Sequence, residues 1–270
     1  MTISRTLSYD AHLARLKNAI NSYISNKSSL IAAYNRGNIS EPEYNKRMHS
    51  IDSRIDELKN RLEKLEDVLS GNVDDMLEEY AKKIATDCMP VIRESRYMVI
   101  DDPYYGLWRG IMDKDLPVLT LSSRLSQRSP RDTPPTVHNE VNKFFINNYG
   151  RPWRNAVFAT SSVQIASEYS SQVYKIFPVG DFEFLWSTNS TDMTDTLEKL
   201  DNPETAEEIE SLFREYNVDF LDYDLEAAIK SDNEIMIWAD KYYAVNYDYI
   251  ETFHEFLMRE LIKREATGKK

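Results

Sequence analysis

From Ile51 the apolar residues recur at alternating steps of four and three, through Ile55, Leu58, Leu62, Leu65 and Leu69, with charged residues filling the positions between. So narrow a two-position seam predicts a long helix that offers a heptad stripe to a helical partner. Upstream, Leu13, Leu16, Ile20, Tyr23 or Ile24, Leu30 and Tyr34 keep helical spacing, and Gly37-Asn38 supplies a C-terminal stop. Ser40, with Glu43 three residues on, is a capping-box signature that opens the second helix. Two long helices joined by so short a turn are expected to fold back as an antiparallel hairpin. With a third helix from Val73 to about Asp87, residues 1–88 are read as a helical hairpin and coiled-coil region.

The texture changes at Pro90 to short apolar runs broken by Pro, Gly and Asp. Leu107 to Ile111, Val118 to Leu121, Val157 to Thr160, Ile235 to Trp238 and Tyr242 to Val245 read as strands. Val173 to Val179 and Phe182 to Trp186 predict a hairpin around Gly180-Asp181. Helical patterns run from Val137 to Tyr149, through Ile165 and Tyr169, over 192–200, over 203–216 with a cap at Asn202-Pro203, and from Tyr249 to about Glu265. Strands and helices without strict alternation predict an α+β domain over residues 89–270.

Composition narrows the class of function. The chain of 270 residues is 41% hydrophobic and 29% charged, enough for a core and a charged surface. Its net charge of −12 is carried by the last stretch, where residues 191–270 hold 21 acidic against 9 basic side chains. The middle third is near neutral yet rich in arginine, whose planar fork suits phosphate or carboxylate. Acidity on that scale disfavours nucleic acid as a partner, whereas a small diphosphate needs only local arginines. No apolar run approaches a membrane span, and the first residues lack the apolar stretch of a secretory signal. Cys88 is the one cysteine, so no metal centre is expected and a reducing, cytoplasm-like compartment is the simplest setting. Motifs for P-loop, Rossmann, zinc-protease and hydrolase chemistry are missing from the sequence.

Three polar groups interrupt the apolar strands. Arg109 stands between Trp108 and Gly110, where a guanidinium needs a carboxylate, phosphate or carbonyl partner. Thr160-Ser161-Ser162 ends one strand and opens a helix, for which Ser162 is placed as N-cap. Asp232 and Glu234 lead into Ile235–Trp238, and strand alternation puts them on one face. Singly, each has an ordinary explanation: a strand-end arginine, a helix cap, turn carboxylates in an acidic region.

Together, Arg109, the run Phe158-Ala159-Thr160-Ser161-Ser162 and Asp232-Asn233-Glu234, in that order across roughly residues 101–247, resemble the arginine–serine–glutamate group of ADP-ribosyltransferases. The resemblance implies a domain built on two small packed β-sheets, NAD as substrate, and mono-ADP-ribosylation of a macromolecular acceptor, in the first instance a protein, with nicotinamide release. It implies that Glu234 stabilises the ribose cation through the 2′-hydroxyl and that Ser161 positions it, with Thr160 as the substitute where the family has Ser-Thr-Ser. Arg109 is expected to hold the NAD phosphates. Asp232 falls where the family has Glu or Gln, the position associated with acceptor choice, and Tyr223 is expected to face the acceptor. Arg128 and Arg131, in a loop ending Arg131-Asp132-Thr133-Pro134, are expected to reach the diphosphate. Similar loops occur in bacteriophage-encoded proteins of this kind, which implies host cytoplasm or virion as the setting. The alternative from another class is a non-catalytic virion or interaction protein with this fold, joined to neighbours or to further copies of itself through its coiled coil.

Overall fold

The computed structural model describes residues 2–69, 73–112, 116–126, 133–199 and 205–268, and the chain divides into two compact units, Met1–Val73 and Asp74–Lys270. The first holds α1 (Thr2–Asn35) and α2 (Glu41–Leu69). Gly37 closes α1 in the left-handed region at φ +74°, and the Asn38 amide donates back to the Ala33 carbonyl over 3.0 Å. Leu16, Ile20 and Leu58 are buried between the helices, with Leu13, Tyr23 and Leu62 beside them. Ion pairs Lys17–Glu66 at 3.0 Å and Lys27–Asp52 rise in number on one helix while falling on the other, as an antiparallel hairpin requires. Leu58 and Leu62 of the heptad stripe thus meet α1; the side chains of Leu65 and Leu69 lie outside the described residues.

The second unit is mixed α+β. It runs α3 (Val73–Asp87), α4 (Met89–Glu94), α5 (Met98–Asp101), β1 (Trp108–Gly110), β2 (Val118–Ser122), α6 (Pro135–Tyr149), β3 (Val157–Ala159), α7 (Val163–Tyr169), β4 (Val173–Pro178), β5 (Glu183–Trp186), α8 (Met193–Leu197), α9 (Ala206–Glu215), α10 (Leu225–Lys230), β6 (Ile235–Trp238), β7 (Lys241–Asn246) and α11 (Ile250–Ala266). The boundary differs from the expected residue 88, because α3 joins the sheets. Its Leu77, Ala81, Ile84 and Ala85 are fully buried, a wider apolar face than the seam of α2. Tyr243 donates to the Asp87 carboxylate at 2.7 Å, and the Tyr80 and Thr120 hydroxyls are 2.9 Å apart.

Two antiparallel sheets form, ordered β1-β4-β7-β2 and β3-β6-β5. The expected hairpin around Gly180-Asp181 is not made: β4 pairs β1 and β7, whereas β5 pairs β6. Gly180, at φ +69°, donates its amide to the Asp87 carbonyl at 2.7 Å, and the chain crosses there from one sheet to the other. All six residues of β4 are buried, as suits a central strand. Periodicity marks such a strand without naming its partners. The short helices α4, α5 and α10 are not evident in the sequence pattern, and the cap expected at Asn202 lies outside the described residues. A capping box of Thr205 and Glu208 opens α9. Val141, Phe145, Phe213, Leu185 and Met236 belong to the core that α6 and α9 build on the three-stranded sheet. No helix among the described residues is long and apolar enough to cross a membrane.

Lys175, in the middle of β4, is 1% exposed. Its ammonium donates to the carbonyls of Pro103 at 2.9 Å and Asp102 at 3.4 Å, and a Cβ on Gly106 would stand 2.4 Å from its Cε. Burial lowers its pKa from 10.5 to about 7, with the Asp102 charge opposing. Between those values the unfolded chain carries a proton that the folded one lacks, so stability rises with pH across that window, by at most about 1.4 kcal/mol per unit. Below pH 7 both states are protonated and the burial penalty is fully present. Urea unfolding at pH 7, 8 and 9 should show this rise in the wild type and a flatter one in Lys175→Met; equal slopes would refute it. A Cβ on Gly110 would meet the Ala166 carbonyl at 2.6 Å and the Ser170 nitrogen at 2.9 Å, both backbone atoms at α7. Gly110→Ala should therefore cost about 1–3 kcal/mol, read as a lower urea midpoint, and an unchanged midpoint would contradict that packing.

Candidate functional site

The polar groups meet where the edge strands of the two sheets touch. The Trp108 amide donates to the Thr160 carbonyl at 2.6 Å and the Thr160 amide to the Trp108 carbonyl at 2.9 Å, joining β1 to the end of β3. Trp108 is fully buried, with its indole N–H on the Tyr104 carbonyl at 3.0 Å. The adjacent Arg109 turns to β3, where its Nη1 donates to the Phe158 carbonyl. On the other side of β3, Ala159 pairs with Ile235, which brings residues 232–234 to the same end.

Both hydroxyls of Thr160 and Ser161 are spent on Asp232. Thr160 Oγ1 donates to the Asp232 carbonyl at 3.0 Å; Ser161 Oγ donates to Asp232 Oδ1 at 2.8 Å and accepts from the Asp232 amide at 3.1 Å. Ser162 caps α7 by accepting from the Ile165 amide, the local role its position predicts. Ser161 thus positions Asp232, whereas the resemblance implies Glu234. The reason is backbone conformation: Asp232 lies in the left-handed region at φ +60°, and β6 begins only at Ile235. Strand alternation does not apply ahead of it, so the carboxylates do not share a face. Aspartate tolerates this conformation better than most residues.

Glu234 points elsewhere. Its amide donates to the Thr191 carbonyl at 3.1 Å, and its Oε1 lies 3.9 Å from Arg154 Nη1, in a pair whose side chains are only 16% and 9% exposed. Between them Asn233 donates to the Ser187 carbonyl at 2.8 Å, tying the tripeptide to the end of β5. Arg154 belongs to a 3-10 turn, Trp153–Asn155, and its guanidinium carbon sits 4.9 Å from the centre of the Phe158 ring. Two guanidinium groups therefore address one residue, Arg109 at the carbonyl of Phe158 and Arg154 at its ring. Tyr169 of α7 donates to Asp192; burial, that bond, and the charges of Asp192 and Glu234 push its pKa well above the ordinary tyrosine value, so it stays protonated.

Arg154, Tyr169 and Asp192 were not among the site residues expected from sequence. Arg154 carries the same sign as Arg109, a charge beside a tryptophan at the edge of an apolar strand, but its partner eighty residues on is invisible without the fold. Tyr223 is exposed at the β5 side, where its carbonyl accepts from the Trp186 indole at 3.0 Å. Arg128 and Arg131 lie outside the described residues. A groove of about 720 Å³ opens beside β5, lined by Arg93, Glu94, Tyr149, Trp153, Phe184 and Asp222 among others. It contains none of the paired polar groups, and the strand junction, where buried charges and hydroxyls converge, is the better candidate. Among the described residues no cluster of His, Cys, Asp and Glu has metal-holding geometry.

Ser161→Ala strips Asp232 of both a donor and an acceptor at a strained backbone position. It should lower stability by about 1–3 kcal/mol in denaturant unfolding, and a change near zero would mean that the Asp232 turn is held by other contacts. Comparisons of the chain with protein-family models, curated proteins and solved structures returned no match.

Proposed function

We propose that the chain is a mono-ADP-ribosyltransferase that moves ADP-ribose from NAD to a macromolecular acceptor, with the Asp74–Lys270 unit as an ADP-ribosyltransferase-like domain. One observation carries this: the Trp108–Thr160 bridge sets Arg109, Ser161 and the Asp232–Glu234 segment, far apart in sequence, around the end of β3. Their order along the chain and their chemistry match the resemblance of the sequence to the family.

In this assignment Arg109 engages the diphosphate, for which its bidentate fork is suited. The bond from the ribose anomeric carbon to the nicotinamide nitrogen breaks, nicotinamide leaves with the electron pair, and positive charge builds on the ribose. A carboxylate that accepts a hydrogen bond from the 2′-hydroxyl stabilises that charge, and the acceptor nucleophile then bonds to the anomeric carbon and loses its proton. Glu234 is the better of the two carboxylates for this work. It is largely withdrawn from water, where its charge acts most strongly, whereas Asp232 is exposed and already engaged by Ser161. Asp232 then stands toward the acceptor.

The test is NAD-dependent labelling and NAD hydrolysis with the full chain. Glu234→Gln should reduce the rate by roughly a hundredfold or more with NAD affinity retained, and Asp232→Asn should reduce it less. Arg109→Ala should weaken NAD binding in calorimetric titration by roughly tenfold or more. A wild-type protein that binds no NAD would overturn the proposal and favour the non-catalytic assembly alternative.

A further inference from the structure

The three-stranded sheet has two edges, and they are closed to different extents. At one, β3 joins β1 through the Trp108–Thr160 bridge. At the other, β5 is met among the described residues by a single bridge, in which Trp186 exchanges both backbone hydrogen bonds with Leu221. Alternate residues of an antiparallel strand address the same neighbour, so Phe184, like Trp186, turns its amide and carbonyl away from β6. The β3 edge follows the same rule: the Phe158 carbonyl faces out and takes Arg109, and Thr160 faces out and takes Trp108. Among the described residues, the outward amide and carbonyl of Phe184 meet no such backbone partner. The groove of about 720 Å³ lies along this edge, lined by residues 181–185 together with Pro90, Arg93 and Glu94 of α4. Its volume falls within the range of about 300–1,000 Å³ that ligand sites occupy. An open edge beside such a groove is a template for an added strand.

We propose that this groove docks an extended basic segment of a partner protein, which adds to β5 at Phe184 and sets an arginine against an acidic, aromatic lining. Charge selects the partner. Glu94, Asp181 and Asp222 line the groove against Arg93, and all three carboxylates are exposed and outside any ion pair among the described residues. Burial, then the charges of Asp219 and Asp222, raise the pKa of Tyr149, so the negative field reaches a ring that lines the groove. Rings are close at hand, for Phe182 and Phe184 stack with centres 6.0 Å apart. A guanidinium suits such surroundings, because it stacks on a ring while its in-plane N–H groups reach carboxylates. The same edge already holds one arginine in this way. Arg151 forks onto Glu183, its Nε donating at 2.6 Å, with its guanidinium carbon 5.1 Å from the centre of the Trp238 ring. The inference does not rest on the transfer reading, since β5 lies at the opposite edge of the sheet from β3.

The experiment titrates the full chain, without NAD, with three capped octapeptides: alternating arginine and valine, alternating glutamate and valine, and the arginine peptide with every backbone amide N-methylated. Calorimetry reads affinity, and hydrogen exchange followed by NMR reads the Phe184 amide. The arginine peptide is expected to bind and to slow exchange at Phe184, and the glutamate peptide to do neither. N-methylation should weaken binding by about fivefold or more, through the lost hydrogen bonds. Asp181→Lys combined with Asp222→Lys, at two exposed positions, should weaken the arginine peptide by about tenfold or more. Matching reversals at Glu207 and Glu215, exposed on α9 and outside the groove, should leave it within about twofold. Equal losses in the two double variants would show attraction to an acidic surface at large and overturn the inference. So would an arginine peptide that does not bind, or a glutamate peptide that binds as well. Binding that survives N-methylation with Phe184 exchange unmoved would overturn the added strand.

Discussion

Two backbone hydrogen bonds between Trp108 and Thr160 are the constraint on which the second unit turns. The strands they join have three residues each and lie at the edges of small sheets, where unpaired amides and carbonyls are costly once buried. Joining edge to edge satisfies those groups and leaves the ends of β1, β3 and β6 together. Everything chemical at the junction follows from that closure. Arg109 is one residue from the bridge, Ser161 is one residue from it on the other side, and the turn at Asp232 is fastened to both Thr160 and Ser161. Gly110 matters for the same reason: without a side chain there, α7 packs directly on β1, and Tyr169 is carried in beside Asp192.

Three cations are drawn into this unit, and each is accommodated by a different means. Arg109 finds a backbone carbonyl on the neighbouring sheet. Lys175 finds two carbonyls in the segment that leads into β1, at the cost of losing its charge near neutral pH. Arg154 has a ring face and a carboxylate at a distance. Lys175 is held wholly within the chain and serves its architecture, whereas Arg154 Nε has no hydrogen-bond partner among the described residues.

The uneven charge along the chain also acquires a spatial meaning. The arginines of the junction come from the middle third and its carboxylates from the last, acidic third. Crossing of the chain between sheets at Gly180, in place of a simple hairpin, is part of what allows this: β5 leaves β4 and becomes the partner of β6, so the segment before β6 is delivered to the end of β3.

Much of this was legible in the sequence. Heptad spacing and Gly37 determine the helical hairpin, because apolar periodicity and a left-handed stop are local properties. The buried strands and the cap at Ser162 are local too, and Arg109, Ser161 and the Asp232–Glu234 segment stand out because a charge or hydroxyl beside an apolar run is anomalous wherever it occurs. Pairing is not local. Which strand β4 and β5 chose, to which unit α3 belongs, and that Ser161 meets Asp232 while Glu234 faces Arg154 depend on contacts between segments tens of residues apart and on one positive φ angle. Residue spacing sets which way a side chain leans along its own element; only the folded chain decides what it leans against.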